Sequence, residues 1–320
     1  MKKKLIFMFS GQGSQYYQMG KQLYEKNDRF RFWMNHCDHL ARPYLNISLI
    51  DIIYNGPNKS EPFDRLLYTN PALLSVEYSL SQVLTEMGIK PDFLIGYSLG
   101  EIAASVISGI ISLENGIKLV IDMARLIEEK TPKAEMLAIF DSPVIIEEFP
   151  EIFKKCWLTG KNFQTSFVLT GLSNDIEQIQ FFLSKKGKIF QKLPVKFGFH
   201  TELINIVESD VKNLIRKIPI NPIEIPIISS LNCGKSVNDI NSDYYWDIIR
   251  RPVDFEITIQ NTIKKSDFIF IDVGPSGTLA TFVKYILSEN NCSSSLQTMN
   301  QFGNDLNSIA KMQSVLSENI

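Results

Sequence analysis

Residues Gly96-Tyr97-Ser98-Leu99-Gly100 have the Gly-x-Ser-x-Gly spacing of a nucleophile elbow. In such an elbow the serine occupies a sharp, strained turn between a strand and a helix. Small residues two before and two after it let the backbones crowd together while Oγ projects outward. The helix that follows aims its positive end and free N–H groups at a developing oxyanion. The chemistry this suggests is acyl transfer through a covalent acyl-serine. As a bare pattern the motif also occurs as an ordinary structural turn, so its context decides.

A serine hydroxyl needs a base, and histidine is the usual one. The chain has three histidines. His36 and His39 stand three apart in Asn35-His36-Cys37-Asp38-His39. One reading of that spacing is shared metal ligation, but no third ligand is suggested nearby. A solvated helix face is expected there, and no metal. His200 follows the apolar Phe197-Gly198-Phe199 and is the candidate base, with a satisfied structural histidine as the alternative. Gly11-Gln12-Gly13-Ser14-Gln15 is by itself a flexible turn. Beside an elbow, a glycine-flanked loop at a strand end can also present a backbone N–H to an oxyanion. Gly274-Pro275-Ser276-Gly277 is a similar turn and lacks the Gly-Lys-Ser or Gly-Lys-Thr of a phosphate loop.

The flanking sequence supplies elements able to position these residues. Leu5 to Phe9 reads as a buried strand opening into the Gly11 loop, and Asp92 to Tyr97 as a strand entering the elbow. Leu99, Ile102, Ala103, Val106, Ile107 and Ile110 then recur at helical spacing, and a second helix is predicted over 113–129. Residues 16–55 read as helical, and Asn70-Pro71 as the restart of a helix. This is α/β grammar. From 133 to 197 the character changes to strand 136–140, helix 143–154, strand 166–170, helix 173–186 and strand 188–195. That order suits a small ferredoxin-like subdomain inserted into a large α/β domain of residues 1–132 and 198–320. After His200 come a helix at 202–217, a strand at 225–229, a helix around Trp246 and a strand at 268–273. A final long helix is expected to open from Gly274-Pro275-Ser276-Gly277. Lysines gather in the insert, at Lys154, Lys155, Lys161, Lys185, Lys186, Lys188, Lys192 and Lys196. They predict a docking surface for an acidic protein, or else a solubilising face.

Composition sets the outer bounds. The chain has 320 residues, 44% hydrophobic and 21% charged, with a formal net charge of −2. It can bury a sizeable core, and its charge calls for neither nucleic acid nor an anionic membrane surface. The start, MKKKLIFMFSGQGSQ, imitates a signal peptide, but its apolar run from Leu5 to Phe9 is too short for one. No segment approaches the roughly 20 apolar residues of a membrane span. Cys37, Cys156, Cys233 and Cys292 are scattered without CxxC spacing, which predicts reduced thiols and a cytoplasmic protein.

Taken in order, GQGSQ near the amino terminus, a Gly-x-Ser-Leu-Gly-Glu elbow, a Phe-His after a small inserted unit, Pro252-Val253-Asp254-Phe255 and Asp272-Val273-Gly274-Pro275 carry a whole-chain resemblance. The sequence resembles the malonyl-CoA:acyl-carrier-protein transacylase family, including the free-standing acyltransferases that serve polyketide synthases. The resemblance implies an α/β-hydrolase-like large domain with a ferredoxin-like insert. It puts the nucleophile at Ser98 and the base at His200, with the backbone N–H groups of Gln12 and Leu99 as oxyanion donors. It also implies that a backbone carbonyl, assigned to Asp254, orients the histidine, so that no third catalytic carboxylate is needed. No cofactor of the enzyme's own is implied, because the substrates carry phosphopantetheine. The implied partner is an acyl carrier protein.

Two positions depart from the family pattern. Malonyl-specific members carry an arginine on the helix after the elbow, whose fork clamps the malonyl carboxylate. With no gap from Ser98 to Glu128, that position here is Met123. Arg125 is two residues on, a turn of about 200° on a helix, and points away. Tyr97 stands where the family usually has histidine. An apolar thioether suits an acyl group without a carboxylate. The resemblance then narrows to acyl hydrolases that remove stalled acyl units from carrier proteins. A true acyl-CoA:carrier-protein transacylase is the first alternative, and a catalytically inactive docking subunit is an alternative of another class. An ordinary esterase is discounted, because it would place an acid between Ser98 and a histidine near the carboxyl end.

Overall fold

A computed structural model describes residues 3–237 and 240–319. Its centre is a six-stranded sheet. Strand β1 (Lys4–Phe9) lies between β2 (Phe93–Gly96) and a strand over Phe268–Asp272, and both pairings are parallel. β1 and the Phe268–Asp272 strand are near-continuous apolar runs because helices cover both of their faces. Parallel pairing puts the carboxyl ends of these strands along one edge. The loops that follow them, Ser10–Gln15, Tyr97–Leu99 and Val273–Gly277, therefore meet there. Such an edge is where open α/β sheets build their sites.

The small unit has strands β3 (Glu135–Ile139), β4 (Trp157–Phe163), β5 (Ser166–Gly171) and β6 (Phe190–Lys192). Helices run over Val144–Glu148, Pro150–Phe153 and Ser173–Lys185. The spatial order β6-β3-β5-β4, all antiparallel, is ferredoxin-like. The element order is β-α-β-β-α-β, one strand more than the sequence pattern predicts. The missed strand is β4, whose register shifts twice against β5 and whose middle is Gly160-Lys161-Asn162. It therefore lacks the alternation that marks a strand. Lys133 pairs with Phe197 where the chain enters and leaves this unit.

The chain continues through β7 (Ile227–Ser229), β8 (Lys235–Ser236), β9 (Val253–Asp254), β10 (Phe268–Asp272) and β11 (Ser294–Gln297). β9 pairs with β4, so the small sheet recruits a strand from after His200. Other boundaries also differ from the sequence reading. The helix expected from Asn70 begins at Leu66, with Pro71 inside it. Residues 16–55 hold three helices, Lys21–Lys26, Asp28–Leu45 and Leu49–Tyr54. The expected long final helix is a nine-residue helix, Thr278–Ile286, then β11 and a last helix over Asp305–Asn319.

The lysine-rich face is largely neutralised. Lys154, Lys155, Lys188, Lys192 and Lys196 pair with Glu151, Asp175, Asp141, Glu135 and Asp64. The excess that predicts a basic docking surface is thus mostly balanced by neighbouring acids. Among the described residues, no helix is long and apolar enough to cross a membrane.

Candidate active site

The elbow's two glycines are required by packing. A Cβ on Gly96 would lie 2.2 Å from the Glu101 nitrogen, and one on Gly100 would lie 2.1 Å from the Phe9 carbonyl oxygen. The Tyr97 N–H donates to that same Phe9 carbonyl, 2.9 Å away, which locks the turn onto β1. Between the glycines Ser98 is held at φ 54°, a left-handed conformation that costs a non-glycine residue free energy. The turn closes through Gly100 N–H on the Tyr97 carbonyl and Glu101 N–H on the Ser98 carbonyl. The helix Gly100–Ile107 starts at once. These constraints push the Ser98 side chain out into a cavity of about 530 Å³ between the two sheets.

His200 meets it there. Ser98 Oγ and His200 Nε2 are 2.9 Å apart, and His200 Nδ1 is 2.7 Å from the carbonyl oxygen of Arg251. A carbonyl only accepts, so Nδ1 carries the proton and Nε2 is left to accept from the serine hydroxyl. The ring is also fixed from its own backbone, since His200 N–H donates to the Ile249 carbonyl at 2.8 Å. The orienting carbonyl is therefore Arg251, a correction to the assignment of Asp254. The reason lies in Arg251-Pro252. A residue before proline is driven to extended backbone, and Arg251 at φ −89°, ψ 146° ends the Ser242–Arg250 helix and turns its carbonyl out of it. Asp254 does other work. Its carbonyl accepts from Thr258 Oγ1 at 2.7 Å, and its carboxylate caps the next helix through Ile257 N–H at 3.0 Å.

Burial pushes the His200 imidazole down to about 4, against a smaller opposing pull from the Arg251 carbonyl. The ring is then neutral, and able to accept a proton, far into acid. Acylation should stay flat from neutral pH to about pH 5 and fall about tenfold per unit below pH 4. An acid limb near 6.5 in single-turnover acylation would contradict the buried ring. The same shift weakens the fold with acid. Above 6.5 its contribution is complete; between 6.5 and 4 the unfolded chain takes up a proton that the folded ring refuses. About 3 kcal/mol of stability is lost across that window. Rates at the acid end are therefore best read from a brief pH jump.

Gln12 and Leu99 both line the cavity beside Ser98. Neighbouring N–H groups are occupied: Gly13 donates to Gln15 Oε1 at 2.7 Å, and Gly100 and Glu101 close the elbow. A Cβ on Gly11 would fall 2.6 Å from the Tyr97 carbonyl, so glycine lets the two loops touch. Gln12 is gripped from the Leu66–Glu86 helix, its Nε2 donating to Thr69 Oγ1 at 2.9 Å and to Asn70 Oδ1. Behind the loop, the buried Glu77 carboxylate accepts from Ser10 N–H and Ser10 Oγ, both at 2.7 Å. Asp272, pushed up to about 6 by burial, holds the Gly274 turn through Gly274 N–H and Ala280 N–H. Sequence reasoning missed Glu77, Thr69, Asn70 and Arg251. Each acts from an element distant in sequence, and a backbone carbonyl leaves no side-chain signature.

Met123 lines the cavity, 1% exposed, with Ile127, Met136, Ala138, Val168 and Phe199. Arg125 does not line it. Its guanidinium donates to the Tyr44 carbonyl and to Asp122. Tyr97 turns its hydroxyl to Asn162 Oδ1, 3.0 Å away, and only glycine at 160 leaves room for it. His36 and His39 are exposed on the Asp28–Leu45 helix, away from the cavity. Among the described residues, no group of three or more His, Cys, Asp or Glu could hold a metal ion.

Comparison with known proteins agrees with this layout. Residues 6–314 match the family described as Acyl transferase domain. The polyketide biosynthesis acyltransferase homolog BaeD of Bacillus velezensis is 40% identical over 288 residues, 90% of this chain and 89% of that protein. The homolog PksD of Bacillus subtilis is 37% identical over 97% of this chain and 96% of its own length. The crystal structure of malonyl CoA-acyl carrier protein transacylase from Clostridium perfringens superposes with a TM-score of 0.80 at 26% identity, covering 98% of each chain. A loading acyltransferase from the avermectin modular polyketide synthase shares the fold, with a TM-score of 0.88 at 22% identity over 98% of this chain and 99% of its own. With a serine elbow, a facing histidine and a family match over nearly its whole length, the chain belongs to the acyl transferase domain family.

Proposed function

We propose that this protein is a serine acyl-transfer enzyme of polyketide biosynthesis that takes non-carboxylated acyl groups from carrier-protein thioesters and releases them to water. The polyketide setting is carried over from BaeD and PksD. The acyl preference rests on one observation. Among the described residues lining the cavity, the charged side chains besides neutral His200 are Lys59 and Glu61, both exposed, while Met123 holds the buried wall. A malonyl carboxylate brought against that wall would be buried without a partner, at a cost of several kcal/mol.

The chemistry follows from the geometry. Ser98 Oγ attacks the thioester carbonyl carbon as its proton passes to His200 Nε2. The resulting imidazolium keeps its Nδ1–H on the Arg251 carbonyl, which also offsets its charge. The N–H groups of Gln12 and Leu99 receive the oxyanion. Collapse expels the phosphopantetheine thiolate, which takes the proton from His200. Water then attacks the acyl-serine with His200 again as base, and the free acid leaves. The carrier protein brings the phosphopantetheine arm with the substrate, so the enzyme needs no cofactor of its own. Four free cysteines support a reducing, cytoplasmic setting.

Intact-mass analysis of the protein mixed with malonyl, acetyl and longer acyl thioesters of CoA and of a carrier protein tests this reading. A transient acyl adduct from the uncharged thioesters, decaying to free acid faster than to carrier-bound product, is the expected result. Efficient delivery onto an added carrier thiol would make the enzyme a transacylase. No adduct from any thioester would leave it a docking subunit.

A further inference from the structure

Glu101 is the last residue of the elbow motif, and the chemistry above does not use it. Its carboxylate is 1% exposed. Its Oε1 accepts from Ser230 N–H at 3.0 Å, Ser230 Oγ at 2.7 Å, Leu231 N–H at 3.2 Å and Ser229 Oγ at 3.0 Å. Its Oε2 accepts from Ser229 Oγ at 2.8 Å and from the Tyr244 hydroxyl. Burial pushes the carboxyl up, and these donors pull it back down. These five donors occupy the whole acceptor capacity of the buried carboxylate and hold it from every side.

The position of those donors matters more than their number. The Glu101 backbone N–H closes the elbow on the Ser98 carbonyl, so the residue is part of the turn that aims the nucleophile. Tyr244 lies in the first turn of the Ser242–Arg250 helix. The other end of that helix supplies the Ile249 carbonyl that holds the His200 backbone and leads to the Arg251 carbonyl that holds its ring. One side chain thus bridges the element bearing the nucleophile and the element orienting the base. The loop after β7 is gripped in the middle.

We infer that Glu101, through Tyr244, is a positioning residue that sets the Ser98–His200 distance and the orientation of the imidazole. The inference rests on the proposed serine–histidine chemistry. Displacements of about 1 Å at reacting atoms can lower rates by about a hundredfold, and a rigid helix transmits a shift at Tyr244 to Arg251.

Tyr244→Phe tests it, because it removes a single hydroxyl and leaves the Ser229, Ser230 and Leu231 contacts in place. The expected result is a folded protein whose acylation by an N-acetylcysteamine thioester falls about tenfold in kcat at unchanged KM. Its His200 imidazole, followed by ¹⁵N NMR, should titrate measurably below the wild-type value as the ring loosens from the Arg251 carbonyl, whose hydrogen bond holds the pKa up against burial. Glu101→Ala should show the same changes more strongly. Glu101→Gln, which keeps an acceptor for the Ser230 and Leu231 donors, should recover to within about threefold of wild type. A folded Tyr244→Phe with wild-type kcat and an unmoved His200 titration overturns the inference. The NMR readout needs no turnover, so a wild-type protein that forms no acyl adduct would refute the acyl-serine chemistry and still leave the clamp to be judged.

Discussion

Ser98→Ala is expected to remove acyl-adduct formation completely while leaving the fold unchanged, because it deletes one hydroxyl from a turn held by backbone contacts. The Gly96 and Gly100 approaches and the Tyr97 N–H to Phe9 bond do not involve Oγ. Alanine inherits the left-handed strain of φ 54°, so no new backbone strain enters. His200→Ala removes the base 2.9 Å from the hydroxyl and should slow acylation by about 10² to 10⁴. Acylation and hydrolysis should both suffer, since one imidazole serves both steps. Peptide mass mapping of trapped adducts gives the check. An adduct elsewhere in Ser98→Ala would move the nucleophile, and a near-normal rate in His200→Ala would make that residue structural.

Met123→Arg is expected to raise malonyl loading at least about tenfold and to lower acetyl loading. The guanidinium would stand on the cavity wall and offer two charge-assisted hydrogen bonds to the malonyl carboxylate. Net hydrogen bonds to charged groups contribute about 1.5–3 kcal/mol each, enough for a tenfold gain after part is lost to imperfect fit. The fit is imperfect because Tyr97 is already committed to Asn162. Without substrate, an arginine at a position 1% exposed is a buried unpaired charge, so the variant should be several kcal/mol less stable than wild type. Thermal shifts with and without malonyl thioester would show this as a substrate-dependent recovery. Arg125→Met is the matched control. Its guanidinium is tied to Tyr44 and Asp122 outside the cavity, so malonyl loading should not change. Efficient malonyl transfer by the unaltered protein would refute the non-carboxylated reading.

Much of the site was legible because the elbow is a local device. Gly96, Ser98 and Gly100 are dictated by contacts within a few residues and with the adjacent strand, so their types and spacing survive in the sequence. The apolar runs of Leu5–Phe9 and Phe268–Ile271 were legible for a similar reason, since a strand buried on both faces is mostly apolar. The scarcity of histidine pointed to His200. The gapless match to the family from Ser98 to Glu128 placed Met123 at the clamp position, and two further residues of helix turned Arg125 away from it.

What escaped depends on chain segments brought together only in three dimensions. A carbonyl oxygen is common to every residue, so no residue type could single out Arg251 over Asp254. That choice was decided by where the Ser242–Arg250 helix ends before Pro252. β4 was hidden because its hydrogen-bonding partners β5 and β9, not its own alternation, make it a strand. The insert's lysines read as an excess because only folding shows which acids pair with them: Glu135, Asp141 and Asp175 from other segments of the insert, and Asp64 from outside it. Glu101 looked like the tail of a motif until Ser229, Ser230 and Tyr244, more than a hundred residues later, converged on its carboxylate. The sequence by itself determined which residues could form an acyl-serine. The tertiary structure decided what aims them, because orientation is set by long-range hydrogen bonds and packing that local residue patterns do not encode.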